Sequence, residues 1–328
     1  MTLEKTSPSG TVRLLSRSPA IKSRALITGS DFWLCFTLPF YAAIAWTVPE
    51  RFWAGLCRRF LEPIDRKGSN DVLVKAVEAS GLETELSLDG AEISQSLNAS
   101  RIESYFQYLR SYRPGGWTCD IAFEGKEALE VATVEGRGAV LWISHFVFNG
   151  IAPKKALAEA GYQVAHLSRP EHGFSVTRFG IAFLNGIRSK VEDRYLLKRI
   201  TIHRQAEERA VREAHRILKR GDLVSITAGA WEGRQIASIP LGRGSFPLAT
   251  GAAALAHSTQ AKLIPVFVVR ERREGRPLIR VILSKPIAFD SAADRIEALH
   301  TCVEEFSRQQ FHMIKRYPDQ WRGWKYVQ

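Results

Sequence analysis

Short apolar runs alternate with amphipathic segments from about residue 70 to the end of the chain. Continuous apolar runs rich in Val, Ile and Leu are typical of strands buried on both faces, whereas apolar residues three and four positions apart predict helices with one buried face. The predicted strands are 139–144, 162–168, 223–227, 234–241, 262–270 and 278–286. The predicted helices are 151–160, most of 178–200, 206–220, 246–260 and 292–316.

This alternation predicts an α/β fold, in which a single sheet-centred domain carries helices on both faces. We place this domain at residues 69–328 and expect roughly seven strands and five helices in it. Residues 1–68 are predicted to form a separate part, a basic tail followed by an apolar segment. The tail, residues 1–30, carries Ser, Thr, Pro and basic residues with little periodicity, which is typical of a flexible segment.

The apolar segment runs from Phe32 to Val48 without a charged residue. As a helix it would be about 26 Å long against about 30 Å of membrane hydrocarbon, and Pro39 lies inside it. A buried core helix and a secretory signal peptide are alternative interpretations. Because Arg51, Arg58 and Arg59 follow the segment, we expect a membrane-associating anchor, lying in or on the bilayer, with its basic flanks toward the cytoplasm.

Composition narrows the class of protein further. The chain has 328 residues and a formal net charge of +12, which predicts an anionic partner: nucleic acid, an acidic protein or a membrane surface. Its length suffices for a hydrophobic core without disulfides or metals, and 45% hydrophobic residues argue against global disorder. The four cysteines lie far apart without a CxxC pair, which excludes common zinc motifs and a disulfide framework.

His145 is the first candidate for chemistry. It follows the predicted strand 139–144, and residues at the carboxyl ends of strands in an open α/β sheet line the crevice where ligands bind. An imidazole in that place can act as a general base, since its pKa lies near neutral pH. A lone histidine is also commonly a structural group, so both interpretations stay open.

The segment GRGAVLWISHF, residues 136–146, resembles the first block of the lysophospholipid acyltransferase superfamily, and within it the bacterial lipid A biosynthesis lauroyl/myristoyl acyltransferase family. The resemblance covers most of the chain and implies a glycerolipid acyltransferase-like α/β fold. Three further segments are similar to later blocks of that family, in the same order: HLSRP with Arg169, residues 242–270 with Pro265, and YPDQWRGWKYV with Pro318, Gln320 and Trp321.

The resemblance implies a role for His145. In that family, an H-x4-D/E motif supplies a histidine that deprotonates an acceptor hydroxyl, the hydroxyl attacks an acyl thioester, and the acid orients the histidine. Here Gly150 stands where the acid is expected. Asn149 is the nearest polar side chain, and Glu171 or Glu232 is a candidate to supply the carboxylate from elsewhere in the chain.

Other residues are candidates for substrate binding. Arg169 offers a planar donor for phosphate or carboxylate, or it is a surface ion pair; Glu171 follows it closely. Arg243 and Gly244 belong to GRGSF, which precedes a predicted helix and either presents N–H groups to an anion or forms only a tight turn. No dinucleotide fingerprint, P-loop or paired-histidine metal motif is present, so we expect neither a cofactor nor a metal.

The sequence therefore predicts a membrane-associated acyltransferase at the cytoplasmic face of a bacterial inner membrane. It would move a fatty acyl group from acyl carrier protein or acyl-CoA to a hydroxyl or amine of a lipid or other amphiphile. A degraded relative that binds lipid or carrier protein without transfer is the alternative, because Gly150 replaces the acid. A nucleic-acid partner is not expected, because the chain lacks the motifs and the aromatic-interleaved basic region of such binders.

Overall fold

The computed structural model describes residues 5–6, 12–16, 24–65, 70–86, 89–203, 206–229, 233 and 235–328. The strands within these ranges are β1 (Lys5–Thr6), β2 (Arg13–Ser16), β3 (Asp120–Glu124), β4 (Ala139–Ile143), β5 (Val164–Ser168), β6 (Lys198–Thr201), β7 (Leu223–Thr227), β8 (Gln235–Leu241), β9 (Gly244–Ala249), β10 (Lys262–Arg273) and β11 (Arg276–Leu283). The α-helices are α1 (Gly29–Thr47), α2 (Trp53–Leu56), α3 (Glu62–Asp65), α4 (Asn70–Ser80), α5 (Glu83–Leu86), α6 (Gly90–Arg110), α7 (Glu127–Val134), α8 (Ile151–Glu159), α9 (Asn185–Glu192), α10 (Glu207–Lys219), α11 (Gly251–Thr259) and α12 (Arg295–Arg316).

The centre of the fold is a sheet with the strand order β3-β11-β10-β4-β7-β5-β6. Its neighbouring strands are parallel except for the antiparallel pair β10–β11. Every residue of β4 and β5 is buried, as expected for strands covered by helices on both faces. The structure is thus of the mixed α/β type, with a central sheet and flanking helices, and the carboxyl ends of β4, β5, β6 and β7 meet at one edge.

A second sheet corrects the prediction of a single one. Four antiparallel strands in the order β1-β2-β8-β9 form it, and β2 pairs with β8 along residues 13–16. Those residues lie in the segment interpreted as a flexible tail, but Leu14 is buried and anchors the strand. The proposed boundary between residues 68 and 69 stays a prediction.

One predicted helix is shorter than expected. Residues 246–249 belong to β9, an edge strand of the second sheet. Pro247 lacks a backbone N–H, which an edge strand tolerates and a central strand does not. In β9, pairing with a neighbouring strand overrides the local helical pattern, and the sequence window alone does not contain that neighbour. Most of 178–200 is helical, as predicted, and residues 198–200 belong to β6, the edge strand of the central sheet.

The apolar segment Phe32–Val48 lies almost entirely in α1, which packs against α6. Tyr41 contacts Phe106 edge to face at 5.7 Å, and the indole N–H of Trp46 donates to the carbonyl oxygen of Leu109. The opposite face of the helix remains exposed. Within the described ranges, no helix has both the length and the apolar character that crossing a bilayer requires.

Candidate active site at the end of the central strand

His145 lies two residues beyond the end of β4, at the edge of the sheet where the parallel strands end. Its side chain is half-buried, and its backbone carbonyl accepts a hydrogen bond from the N–H of Arg322 at 2.9 Å. The adjacent residue Phe146 forms an antiparallel bridge with Trp321. The turn that carries His145 is therefore held by the C-terminal segment of the chain.

Gln320 connects this turn to the neighbouring strand β10. Its carbonyl oxygen accepts a hydrogen bond from Val147, and its side-chain amide forms hydrogen bonds with both the N–H and the carbonyl of Arg270. Because Gln320 is nearly buried, these hydrogen bonds are shielded from water and hold the geometry firmly. The first, third and fourth segments on which the family resemblance rests are thereby brought together around His145.

The surroundings of His145 are positively charged. Burial, Arg322 and Lys325 lower the pKa of His145 to about 3, so the imidazole is neutral at physiological pH. Among the described residues, no carboxylate forms a hydrogen bond with the ring. A neutral imidazole can accept a proton, but the imidazolium that results would be destabilised by those two cations.

Gly150, in the position of the family's acid, has no room for any side chain. A Cβ atom built on Gly150 would lie 2.0 Å from the hydroxyl oxygen of Tyr108 and 3.3 Å from Nη2 of Arg188. Real Cβ contacts are never as short as the first of these distances, so glycine is required while Tyr108 stays in place. The space that a carboxylate would fill is occupied by a phenol and a guanidinium group.

A buried carboxylate, Glu192, lies behind these two side chains. It is fully shielded from solvent, and although burial opposes its ionisation, His172, Lys154 and Arg188 hold its pKa well below the usual range. It is therefore the ionised centre of a network that joins helices α6, α8 and α9 to the sheet. Its partners are Tyr108 at 2.6 Å, His172 and Arg199 at 2.9 Å, Lys154 at 3.4 Å and Arg188 at 3.9 Å.

Three arginines interact with one another, and one of them, Arg322, also acts on His145. Arg101 and Arg188 donate to the hydroxyls of Tyr105 and Tyr108, at 3.3 Å and 3.1 Å. Arg322 lies within electrostatic reach of all four, and burial, together with Arg188 and Arg101, lowers the pKa of its guanidinium to about 10. This group of Arg101, Arg188 and Arg322 is called the arginine cluster below.

The residues predicted from the sequence lie in different parts of the fold. Asn149 is buried and donates to the carbonyl of Ser144, closing the turn after β4 without a hydrogen bond to the His145 ring. Arg169 follows β5 and lies 3.7 Å from Glu207. Glu171 accepts a hydrogen bond from Arg24. Glu232 lies outside the described residues.

Arg243 and Gly244 belong to the second sheet and not to the central sheet that carries His145. They follow the turn at Gly242 between β8 and β9 of the second sheet and do not precede a helix. The N–H of Arg243 donates to the carbonyl of Ser80 at 2.7 Å, so the fold itself uses this group. The structure thus brings His145 and Asn149 into one turn, whereas Arg169 and Glu171 follow β5 and Arg243 and Gly244 belong to the second sheet.

The sequence analysis missed Tyr108, Glu192 and the arginine cluster. In the sequence these residues look like ordinary members of amphipathic helices, whose polar side chains usually face water. Only Arg322 carried a signal, because it belongs to the segment YPDQWRGWKYV that resembles the family. Tyr108 and Glu192 are 84 positions apart, and no local pattern reports a contact of that kind.

Comparison with known proteins adds little to these observations. No protein-family model matches the chain, and no curated protein matches it. Among solved structures it is similar to the 1-acyl-sn-glycerophosphate (LPA) acyltransferase PlsC from Thermotoga maritima, with 13% sequence identity and a TM-score of 0.37. The similarity covers 85% of this chain and 96% of the other. At this level of similarity two chains can differ in fold and in activity, so function must be inferred from the residues of the site.

Proposed function

We propose that the protein is an acyltransferase that moves a fatty acyl group from a thioester donor to a hydroxyl or amine of a lipid or other amphiphile. The observation that carries the proposal is that the C-terminal segment holds the turn that carries His145. Segments that resemble three separated blocks of the lipid A acyltransferase family meet at the end of β4, joined by Gln320 and the Phe146–Trp321 bridge. Acyl carrier protein and acyl-CoA are the proposed donors.

In this reaction the acceptor hydroxyl gives its proton to His145 while the hydroxyl oxygen attacks the carbonyl carbon of the thioester. The carbon–sulfur bond then breaks, and the thiolate leaves with the proton that His145 returns. The negative charge that develops on the carbonyl oxygen is favoured by the cations near His145, Arg322 and Lys325. The same cations make His145 a weak base. Proton transfer to His145 therefore requires a group that offsets their positive charge.

We propose further that α1 lies on a membrane surface, at the cytoplasmic face of a bacterial inner membrane. Phe32, Phe36 and Phe40 follow one another at four-residue spacing on the exposed face of α1, and their exposed fractions are 58%, 76% and 54%. Exposed aromatic side chains beside exposed basic residues favour an interface with anionic lipids. Arg51 and Arg59 supply such charges just after the helix.

The test measures acyl transfer from an acyl thioester to an amphiphilic alcohol, followed by release of free thiol. We expect His145→Ala to lower the rate by about 100-fold or more, the usual contribution of a general base. His312→Ala is the matched control, because His312 is exposed on α12. Equal rates in the His145→Ala variant and the wild type would exclude His145 as the base.

One observation favours a second candidate, a relative that binds lipid or carrier protein without transfer. The ring of His145 has no carboxylate partner in the described part of the chain, and the loss of such a partner greatly slows enzymes that depend on it. Under this hypothesis the wild-type protein binds an acyl carrier protein or an acyl thioester, but neither transfers nor hydrolyses the acyl group. The same assay, read together with donor binding, distinguishes the two candidates.

A further inference from the structure

A second exposed apolar surface lies beside the start of α1. Leu26, Val176 and Phe183 have exposed fractions of 70%, 65% and 69%. Leu26 precedes α1, and the other two residues lie in the connection between β5 and α9. These three residues are called the loop patch below. Large apolar side chains that are grouped on a surface indicate a site of contact with a protein or a membrane, whereas a single one does not.

Backbone hydrogen bonds join the two parts of the loop patch. The N–H groups of Arg178 and Phe179 donate to the carbonyl oxygens of Ala25 and Leu26, both at 3.0 Å. The ring of Phe179 lies 5.1 Å from the ring of Phe183, so the connection packs directly beside the residues that lead into α1. The loop patch is therefore continuous along the chain with the exposed aromatic face of α1.

The connection that carries the loop patch is fixed by side-chain hydrogen bonds. The side-chain oxygen of Asn185 accepts from the N–H groups of Phe174 and Ser175 at 2.8 and 3.0 Å, and its amide group donates to the carbonyls of Pro170 and Ser175. The hydroxyl of Ser175 donates to the buried carboxylate of Asp31 in α1. A surface that is ordered before binding loses little conformational entropy when it binds.

The charge around the loop patch favours a lipid surface as its partner. Residues 172–191 contain no Asp or Glu, and residues 24–49 contain only Asp31, which is buried. Arg178 and Lys190 are exposed within the first of these segments. Large apolar side chains that insert between lipids, together with cations that contact the headgroups and no accessible carboxylate, match a bilayer with anionic lipids.

We propose that the loop patch is a second point of contact with an anionic phospholipid bilayer, beside α1. A single helix on a surface leaves the protein free to rotate about the helix axis, whereas a second contact away from that axis fixes the orientation. Because β5 ends at the same edge of the central sheet as β4, this orientation turns the edge that carries His145 toward the bilayer. An amphiphilic acceptor would then reach the candidate active site without crossing water.

This inference rests on the proposed function for the contact made by α1, and its test separates the two contacts. Binding of the full chain to vesicles of phosphatidylcholine with phosphatidylglycerol is measured by sedimentation. We expect Val176→Ser combined with Phe183→Ser to weaken binding by about tenfold or more, because both side chains would leave water on insertion. Val131→Ser combined with Val211→Ser is the matched control, since these valines are 51% and 46% exposed on α7 and α10.

The same measurement can overturn the proposal in two ways. Wild-type binding by the variant with serines at positions 176 and 183 excludes the loop patch as a membrane contact, even if substitutions on the exposed face of α1 abolish binding. A wild-type protein that does not bind these vesicles excludes both contacts. Melting temperatures should be the same in the wild type and the variant, because both substituted side chains are exposed.

Insertion of the loop patch is measured with a fluorescent dye. Cys35 is exposed, so Cys35→Ser provides the background, and the labelled variants are Phe183→Cys and, as the control, Val211→Cys. We expect vesicles to shift the emission of the dye at position 183 to shorter wavelength and to leave the dye at position 211 unchanged. A dye at position 183 that stays in water while the protein is bound to vesicles overturns the proposal.

An acidic protein is the other partner that an apolar surface with cations can bind. Purified acyl carrier protein is therefore titrated into the wild type and into Val176→Ser combined with Phe183→Ser. Under the proposal the substitutions leave carrier binding unchanged and weaken only vesicle binding. If they weaken carrier binding and leave vesicle binding unchanged, the loop patch is a protein-docking surface and the proposal is wrong.

Discussion

At the scale of single residues, the site is built around a glycine where the family resemblance places an acid. The structure explains the glycine by contact, since Tyr108 and Arg188 occupy the space beside Gly150. Restoring the acid as Gly150→Glu would therefore collide with the phenol before any carboxylate reached His145. The negative charge of this region comes instead from Glu192, which Tyr108 separates from the His145 turn.

A double-mutant cycle tests this contact. Gly150→Ala should lower the free energy of unfolding by about 1–3 kcal/mol, because the new methyl group overpacks against the hydroxyl of Tyr108. Adding Tyr108→Phe removes that oxygen and should recover part of the loss, even though it also removes a hydrogen bond to Glu192. The stabilities are measured by urea unfolding of all four proteins, and additive effects of the two substitutions would contradict the contact.

At the scale of elements, α1 has two different faces. One face packs on α6, and the start of the helix is tied to the loop after β5, where the buried carboxylate of Asp31 accepts a hydrogen bond from Ser175 at 2.5 Å. The other face exposes aromatic side chains. The same loop carries His172 and continues into α9, the helix that carries Arg188. A membrane surface bound by α1 would therefore lie close to the chain segment that leads to the candidate active site.

The exposed face of α1 can be tested by partition onto vesicles. Phe36→Ser combined with Phe40→Ser should weaken binding to vesicles of phosphatidylcholine with phosphatidylglycerol by tenfold or more, because each buried aromatic contributes about 1.5–3 kcal/mol. Val211→Ser on α10 is the control, since Val211 is an exposed apolar residue at 46% on another helix. Melting temperatures should be unchanged in both variants. Undiminished vesicle binding by the double variant would rule out α1 as the membrane contact.

At the scale of the whole molecule, Glu192 joins parts of the fold that are distant in sequence. Its partners come from α6, α8, α9, β6 and the loop after β5. Because the carboxylate is buried, removal of its charge leaves several cations without compensation. Loss of one partner of a buried ion pair typically costs about 3–5 kcal/mol.

The stability of the protein should accordingly depend on Glu192 and on pH. Since the pKa of Glu192 is lowered by folding, its contribution is complete above the unfolded pKa, about 4.3, and is lost as the pH falls toward the folded pKa. We expect Glu192→Gln to unfold at clearly lower urea concentration at pH 7 and to show a smaller loss of stability on acidification. Glu208→Gln, at a side chain that is 80% exposed, should behave as the wild type. Equal stability of all three proteins at pH 7 would exclude this role.

Glu50 acts on stability in the opposite direction. Burial raises the pKa of its carboxyl to about 7, despite a hydrogen bond from Trp117. A raised pKa means that the folded state holds the proton more tightly, so this contribution is present at low pH and is lost as the pH rises toward 7. Between about pH 4.3 and 7 only the contribution of Glu50 changes, and it falls as the pH rises; below about pH 4.3 the contribution of Glu192 is lost on acidification.

Much of the fold was determined by the sequence itself. The continuous apolar run of β4 and the amphipathic pattern of α10 are local properties of the sequence. Because burial of apolar side chains drives folding, such patterns determine whether a segment forms a strand or a helix. The position of His145 at the end of a buried strand follows from the same run. The helix predicted over 246–260 was partly wrong, because β9 depends on a strand that pairs with it.

The chemistry around His145 was decided only by the tertiary structure. Tyr108, Arg188, Glu192 and Arg322 lie on separate elements, and a hydrogen bond or charge acts over a few ångströms of space rather than along the chain. The resemblance to the acyltransferase family pointed to His145 and to the missing acid. The phenol and the guanidinium group that occupy the place of that acid lie there because the folded chain brings these distant side chains together and removes water from between them.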